Sequence, residues 1–124
     1  IIRSMVAQRK LNLTLVPCPI VREASGLAMS SRNERLSPQG KAQAAFIYQV
    51  LTEAKERFAS HSVEEVTAFV KEQFAEKAEV ELEYFIIADE RTLQPAITKE
   101  AGVAYRAFIV AYIEGVRLID NLAF

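Results

Sequence analysis

The chain has 124 residues, of which 51% are hydrophobic and 25% charged, and its formal net charge is −1. A domain of this length buries roughly two-thirds of its unfolded surface, and no apolar run approaches the ~18 residues of a membrane span, so a disordered, collagen-like or transmembrane chain is excluded. One cysteine, Cys18, and one histidine, His61, exclude an internal disulfide and a multi-cysteine zinc site. We therefore expect a cytoplasmic protein with no membrane partner and no metal ligands.

The first third of the chain predicts a short helix, a strand and a long loop. Apolar residues at positions 1, 2, 5 and 6 mark one side of a helix over residues 1–11, and no N-cap residue precedes it. Residues 13–16 predict a strand that stops at Pro17 and Pro19, because proline has no N–H for a ladder. Residues 21–36 lack periodicity and predict a loop. The missing N-cap indicates a sequence that begins inside a helix, as a piece of a longer protein would.

Two helices are predicted after the loop. Ser37 followed by Pro38 is typical of a helix start, and apolar spacing continues that helix to about residue 60. Ser62 and Glu65 form a capping-box pattern for a second helix that runs to about residue 77.

Three strands are predicted in the last third. Residues 80–88 alternate at period two, and residues 105–113 and 116–121 form two further apolar runs. Glu114-Gly115 is too short for a parallel crossover, so the last two strands should pair antiparallel. Consecutive helices followed by closely linked strands predict an α+β fold, with two helices packed on a small antiparallel sheet.

Charge is unevenly distributed along the chain. Residues 1–41 hold seven basic and two acidic residues, whereas the remaining 83 hold eight basic and fourteen acidic residues. A local basic excess beside small polar residues suits a phosphate-bearing ligand, although ordinary surface charge explains the same distribution.

Most residues capable of chemistry have a structural interpretation. We expect four paired carboxylates to lie on solvent-exposed faces rather than to act in acid–base catalysis. They are Glu64, Glu65, Glu81 and Glu83. We expect His61, which lies between the two predicted helices, to be an exposed linker residue. Cys18, between two prolines, predicts a small buried side chain rather than a nucleophile.

The exception is Met29-Ser-Ser-Arg-Asn33 in the predicted loop. Ser30 and Ser31 offer two hydroxyls with their backbone N–H groups, and Arg32 offers a guanidinium. A polyphosphate needs such donors, since hydroxyls and amides bind single oxygens and arginine binds two at once. The same five residues also suit an ordinary polar turn.

A longer pattern surrounds this motif. Val21-Arg-Glu-Ala-Ser-Gly-Leu-Ala-Met-Ser-Ser-Arg-Asn33, followed by an alanine-rich helix, resembles the signature loop of the pantoate–β-alanine ligase (pantothenate synthetase) family. The resemblance continues at residues 2–6, 11–13, 84–89 and 92–93 and at Arg117-Leu-Ile-Asp-Asn121. Val116 departs from the threonine that is usual in the family.

The resemblance implies a two-step ligase with ATP and Mg²⁺. ATP activates pantoate as pantoyl adenylate, and the β-alanine amine then displaces AMP to give pantothenate for coenzyme A synthesis. By analogy with class I aminoacyl-tRNA synthetases, Ser30, Ser31 and Arg32 would face the triphosphate as catalytic and ATP-binding residues. Val21 and Met29 would contact the nucleoside end, largely through backbone groups.

The resemblance also implies what this chain lacks. The family uses a His-x-Gly-His motif in a Rossmann-like first domain, whereas this chain has only His61. We therefore expect residues 1–24 to be the tail of that domain (helix, strand and hinge) and residues 25–124 to be the C-terminal lid domain. A fragment of this kind should be inactive alone.

Two other functions remain open from the sequence. The basic first third could serve a stand-alone anion-binding or nucleic-acid-binding module, although the chain has no tryptophan and no RNA-binding aromatic platform. A dimerisation module without a ligand is the other alternative. Our preferred interpretation has no nucleic-acid partner and a homodimer, with strand exchange through residues 13–16 because an apolar edge tends to pair with another chain.

Overall fold

The computed structural model describes residues 1–124, which form three α-helices, one 3₁₀ turn and three strands. In chain order these are α1 (Ile2–Gln8), the 3₁₀ turn (Ser31–Arg35), α2 (Pro38–Phe58), α3 (Val63–Ala75), β1 (Glu81–Asp89), β2 (Tyr105–Ile113) and β3 (Val116–Ala123). The predicted α+β class is confirmed. None of the helices has both the length and the apolar composition that crossing a membrane requires.

The sheet has β2 at its centre, paired antiparallel with β1 on one side and β3 on the other. Glu114 and Gly115 form the whole connection between β2 and β3, with φ of 51° and 73°. Positive φ at both central positions gives a two-residue turn the twist that antiparallel strands need. The predicted antiparallel pairing of the last two strands is confirmed.

Helices α2 and α3 cover one face of the sheet and form the core with it. Fully buried side chains of this core come from both helices and from the sheet: Val50, Leu51, Val66, Val70, Ile87, Ile109 and Ile113. Burying each aliphatic side chain contributes about 1.5–3 kcal/mol, so this face drives folding.

Both predicted helix starts are confirmed. The Ser37 hydroxyl accepts a hydrogen bond from the Gly40 N–H at 3.0 Å. The Ser62 hydroxyl accepts from the Glu65 N–H at 3.1 Å, and the Glu65 carboxylate accepts from the Ser62 N–H at 2.7 Å. These bonds occupy N–H groups that a helix start leaves without intrahelical partners.

A carboxylate links the β2–β3 turn to the start of α2. Glu114 accepts hydrogen bonds from the Ser37 N–H at 2.8 Å and from the Ser37 hydroxyl. A Cβ added at Gly40 would lie 2.7 Å from the Glu114 carboxyl carbon, so glycine leaves room for this contact. The contact sets where α2 begins relative to the sheet.

The segment before residue 21 differs from two predictions. The helix is present as α1, but residues 13–16 form no strand, and Leu13 and Val16 are 61% and 77% exposed. A strand requires a neighbouring backbone to complete its hydrogen bonds, and no strand lies beside these residues. Cys18 is also exposed rather than buried, because no other part of the chain covers this segment.

The Glu114 contact predicts a pH-dependent stability. Hydrogen bonds from the Ser37 side chain and backbone lower the pKa of Glu114 below its ordinary 4.5. A carboxyl whose folded pKa is lowered stabilises the fold above its unfolded pKa, and this contribution is lost as the pH falls through the folded pKa. We expect the free energy of unfolding to fall less steeply for Glu114→Gln than for wild type between neutral pH and about pH 3, measured by urea denaturation.

The matched control for this experiment is Glu72→Gln, which changes an exposed carboxylate on α3. This variant should keep the wild-type pH dependence. If Glu114→Gln kept it as well, the contact between Glu114 and Ser37 would not stabilise the folded protein.

Candidate functional site

Residues 21–33, called the signature loop below, fold back on themselves. The Glu23 N–H donates to the Leu27 carbonyl at 2.8 Å, and the Met29 N–H donates to the Val21 carbonyl at 2.9 Å. These bonds pair a first limb, residues 21–23, with a second limb, residues 27–29. The long loop predicted from the sequence is therefore internally bonded in its first part.

Gly26 lies in the turn between the two limbs, with φ of 89°. This left-handed conformation is easily reached only by glycine. A Cβ at this position would also lie 2.2 Å from Cδ1 of Tyr48 on α2. The turn is therefore packed closely against α2.

A buried ion pair attaches the first limb to β3. Arg22 donates from Nη1 to Oδ2 of Asp120 at 2.6 Å and from Nη2 to Oδ1 at 3.0 Å. Its Nη1 also donates to the Gly26 carbonyl at 3.0 Å, and its guanidinium lies 4.0 Å from the centre of the Tyr48 ring. The Asp120 side chain is only 4% exposed. A two-point bond of this kind fixes both distance and orientation.

Asn33 connects the end of the signature loop to both of its limbs. Its Nδ2 donates to Oε1 of Glu23 and to the Ala28 carbonyl, both at 3.1 Å. Asn33 is 3% exposed, and its Oδ1 has no hydrogen-bond donor. A buried acceptor without a donor costs about 1–3 kcal/mol, which marks Asn33 as an unusual residue of this loop.

The predicted phosphate-binding donors lie together where the 3₁₀ turn begins. Ser30 has an extended backbone, and its hydroxyl accepts from the Arg32 N–H at 3.2 Å. Ser30, Ser31 and Arg32 are exposed. The Ser30 hydroxyl proton stays free to donate, and the Arg32 guanidinium takes part in none of the hydrogen bonds or ion pairs of the chain.

A cleft of about 250 Å³ separates the signature loop from β3. Its lining includes Ser30, Arg32 and Asn33 on one side and Arg117 and Asp120 on the other. Arg117 is bonded to Glu83 at 2.7 and 2.9 Å; this pair raises the pKa of Arg117 and lowers that of Glu83. Asp120 is neutralised by Arg22. Arg32 is therefore the cleft's unpaired charge, and the arrangement can bind an anion.

Comparison with known proteins identifies the family. A family model described as pantoate-beta-alanine ligase matches residues 1–123. The chain belongs to the pantoate–β-alanine ligase family. It is 52% identical to a pantothenate synthetase of Christiangramia forsetii over 123 residues and 46% identical to that of Flavobacterium psychrophilum. In both cases the alignment covers 99% of this chain and 44% of the relative.

Solved structures of the family have the same fold over this segment. A pantothenate synthetase from Thermus thermophilus matches with a TM-score of 0.86 and 34% identity, over 98% of this chain and 44% of that one. A pantoate-beta-alanine ligase from Francisella tularensis, complexed with beta-gamma ATP and beta-alanine, matches with a TM-score of 0.61 and 30% identity, over 98% and 38%. This chain therefore spans less than half the length of these ligases.

The structure brings the predicted site residues onto one loop. Val21 and Met29 lie side by side with 65% and 61% of their surface exposed, next to the donors of residues 30–32. The Met29 N–H is already bonded to the Val21 carbonyl. Contact with a nucleoside through the backbone of these two residues, and catalysis by Ser30, Ser31 and Arg32, stay predictions.

Sequence reasoning missed the residues that hold the loop in place. Arg22 and Asp120 lie 98 positions apart, and no pattern in a single sequence pairs them. Tyr48 lies on α2 and Asn33 in the signature motif, but neither had a predicted contact. Only the family resemblance, which included Arg22 and Asp120 among its matching residues, could have directed attention to them.

Metal-binding side chains are not clustered in this chain. No group of three or more histidine, cysteine, aspartate or glutamate side chains is placed to hold a metal ion. Within the cleft, both carboxylate oxygens of Asp120 are bonded to Arg22. The residues present therefore do not fit Mg²⁺ held by this chain alone.

The histidine and the paired carboxylates lie outside the cleft. His61 is exposed between α2 and α3, where its Nδ1 lies 3.1 Å from the Arg57 carbonyl. The four paired carboxylates are exposed as predicted: Glu64, Glu65, Glu81 and Glu83. Glu65 caps α3 and Glu83 pairs with Arg117, so both have structural contacts.

The ion pair between Arg22 and Asp120 predicts a large effect of one substitution. Asp120→Asn keeps the shape of the side chain but leaves the Arg22 charge without its partner, and breaking a buried pair in this way costs about 3 kcal/mol. We expect that loss in the free energy of unfolding, measured by urea denaturation. Limited proteolysis should also cut the signature loop faster.

The matched control is Glu83→Gln, which removes the partner of Arg117 in an exposed pair (41% and 33% exposed side chains). Water screens exposed ion pairs, so this change should alter stability little. An equal loss in both variants would contradict a special role for the buried pair.

Proposed function

We propose that this chain is the part of a pantoate–β-alanine ligase that binds the triphosphate of ATP and covers the active site as a lid domain. In the intact enzyme a carboxylate oxygen of pantoate attacks the α-phosphorus of ATP, the bond to the bridging oxygen breaks, and pyrophosphate leaves. The β-alanine amine then attacks the acyl carbon of pantoyl adenylate, loses a proton, and AMP leaves. Pantothenate is the product.

The observation that carries this proposal is the unpaired guanidinium of Arg32 beside two exposed hydroxyls. Arg32 offers two parallel N–H donors to phosphate oxygens, and Ser30 and Ser31 offer single donors. Negative charge grows on the β- and γ-phosphates as pyrophosphate departs. Donors placed there stabilise the transition state more than bound ATP, which accelerates adenylation.

The fixed first limb supports this role. Donors stabilise developing charge most when they need not reorganise during the reaction. The bond from Arg22 to Asp120 ties the loop to β3, and Gly26 packs it on Tyr48. We infer that these contacts place Ser30, Ser31 and Arg32 before the nucleotide arrives.

Several groups that the reaction needs would be held by the rest of the enzyme. A carboxylate cluster for Mg²⁺ is absent here, so we expect the ion to be held by the ATP phosphates and by residues of the other domain. We also propose a domain boundary near residue 24 and a cytoplasmic enzyme. The F. tularensis ligase complexed with beta-gamma ATP and beta-alanine supports assigning these two ligand classes to the intact protein.

Substitution of Arg32 tests the proposal in the intact ligase. Arg32→Ala should lower kcat for ATP–pyrophosphate exchange about 100-fold, because one donor to developing charge is lost, and should leave KM for pantoate nearly unchanged. Equal losses in kcat and in pantoate affinity would contradict a transition-state role for Arg32.

The matched control is Arg35→Ala, an exposed arginine of the same 3₁₀ turn that does not line the cleft. This variant should retain wild-type exchange. The 124-residue chain alone should release no AMP from ATP, pantoate and β-alanine. Robust turnover by the chain alone would contradict its assignment as half of a site.

A homodimer is the second part of the proposal. Since residues 13–16 form no strand, strand exchange through them is no longer expected, and apolar side-chain contact takes its place. Leu13 and Val16 expose most of their surface to water, which favours association. Light scattering should give twice the 13.9 kDa chain mass, and Leu13→Glu with Val16→Glu should restore the monomer. A wild-type monomer at all concentrations would refute the dimer.

A further inference from the structure

We propose that Asn33 is a positioning residue for adenylation, because its side-chain amide holds the 3₁₀ turn that carries Arg32 against both limbs of the signature loop. The inference rests on the proposed function and deepens it. Arg32 would supply the contact to phosphate, and Asn33, acting through Arg32, would set where that contact lies.

The orientation of the Asn33 amide is determined by its neighbours. Nδ2 lies 3.1 Å from both Oε1 of Glu23 and the carbonyl of Ala28. A carboxylate and a carbonyl oxygen only accept hydrogen bonds, so only the NH₂ end of the amide can face them. A flipped amide would place Oδ1 against two acceptors.

The main chain of Asn33 also holds the 3₁₀ turn. Its N–H donates to the Ser30 carbonyl at 3.0 Å, and its carbonyl accepts from the Leu36 N–H at 3.2 Å. Asn33 thus bonds to the residue before the turn, to the residue after it and, through its side chain, to both limbs of the loop. Arg32, the neighbouring residue, is exposed, and its backbone N–H donates to the Ser30 hydroxyl.

The hydrogen bonds of Asn33 show what its side chain contributes. Oδ1 is buried and accepts no hydrogen bond, which disfavours the observed conformation. An apolar side chain of similar volume would avoid that unpaired acceptor, but it would leave Oε1 of Glu23 and the Ala28 carbonyl without this donor. The two bonds made by Nδ2 are therefore what asparagine contributes, and both act on the loop that carries the phosphate-binding donors.

The first limb provides a firm support for this contact. Glu23 directly follows Arg22, whose guanidinium is bonded to Asp120 of β3. A connected path therefore runs from β3 through Arg22, Glu23 and Asn33 to the turn beside Arg32. Small displacements of a catalytic group change rates strongly, so loosening this path should slow the chemical step.

Exchanging the amide and the carboxylate between Asn33 and Glu23 tests the hydrogen bond between them. In the intact ligase, Asn33→Asp places a second carboxylate beside Glu23, and the repulsion should lower kcat for ATP–pyrophosphate exchange by up to about 100-fold. Glu23→Gln keeps the acceptor Oε1, so its kcat should fall less than that of Asn33→Asp. In the double variant the introduced glutamine amide can donate to the introduced carboxylate, so it should recover part of the activity that Asn33→Asp loses, while the Ala28 carbonyl still lacks its donor. KM for pantoate should stay constant across the series.

The outcomes separate this inference from the proposed function. Full activity of Asn33→Asp, or no recovery in the double variant, would overturn the positioning role while leaving the wild-type reaction intact. A wild-type enzyme without ATP–pyrophosphate exchange would overturn the proposed function and this inference together. Urea denaturation of each variant shows whether lost activity follows lost stability, which would also overturn the role.

A second substitution covers the case in which Asn33→Asp does not fold. Glu23→Ala removes one of the two acceptors of Nδ2 at a half-buried position and leaves Asn33 unchanged. It should lower kcat with little change in KM for pantoate. An unchanged kcat in this folded variant would overturn the role of Asn33.

Discussion

The arrangement of the candidate site depends on the ion pair between Arg22 and Asp120. It joins a loop near the start of the chain to the last strand, and its two bonds of 2.6 and 3.0 Å leave little freedom of rotation. Asp120 is almost fully buried, so water screens the attraction weakly. Tyr48 and the Gly26 turn complete the attachment. Without it, a polar loop has little buried apolar surface to keep it in one conformation.

The signature loop divides its residues between support and binding. Arg22, Glu23, Gly26 and Asn33 direct their bonds and contacts into the protein, whereas Ser30–Arg32 keep their side chains exposed. This division is what an anion-binding loop requires, since exposed donors bind well only when their backbone is already placed. The same division explains how one loop can hold two arginines, Arg22 and Arg32, with opposite roles.

Much of the fold follows from local patterns in the sequence. Ser37 with Pro38 and Ser62 with Glu65 predict helix starts because a cap bonds within three or four residues. Alternation in the last third predicts the strands, and Glu114-Gly115 predicts their antiparallel pairing. The same rules fail at residues 13–16, where apolar residues alone predict a strand. A strand depends on a partner elsewhere in space. The predicted burial of Cys18 is wrong for a similar reason, because burial also depends on a neighbouring part of the chain.

The candidate site likewise has features that the sequence predicts and features that only the structure shows. By itself the sequence determined the donor chemistry of Ser30, Ser31 and Arg32 and, through its long motif, the family, because both are properties of neighbouring residues. Only the tertiary structure decided that Arg22 is paired with Asp120, that Arg117 is paired with Glu83 and that Arg32 is left free. Charge pairing depends on distances between residues far apart in the chain, and those distances exist only after the helices have packed on the sheet.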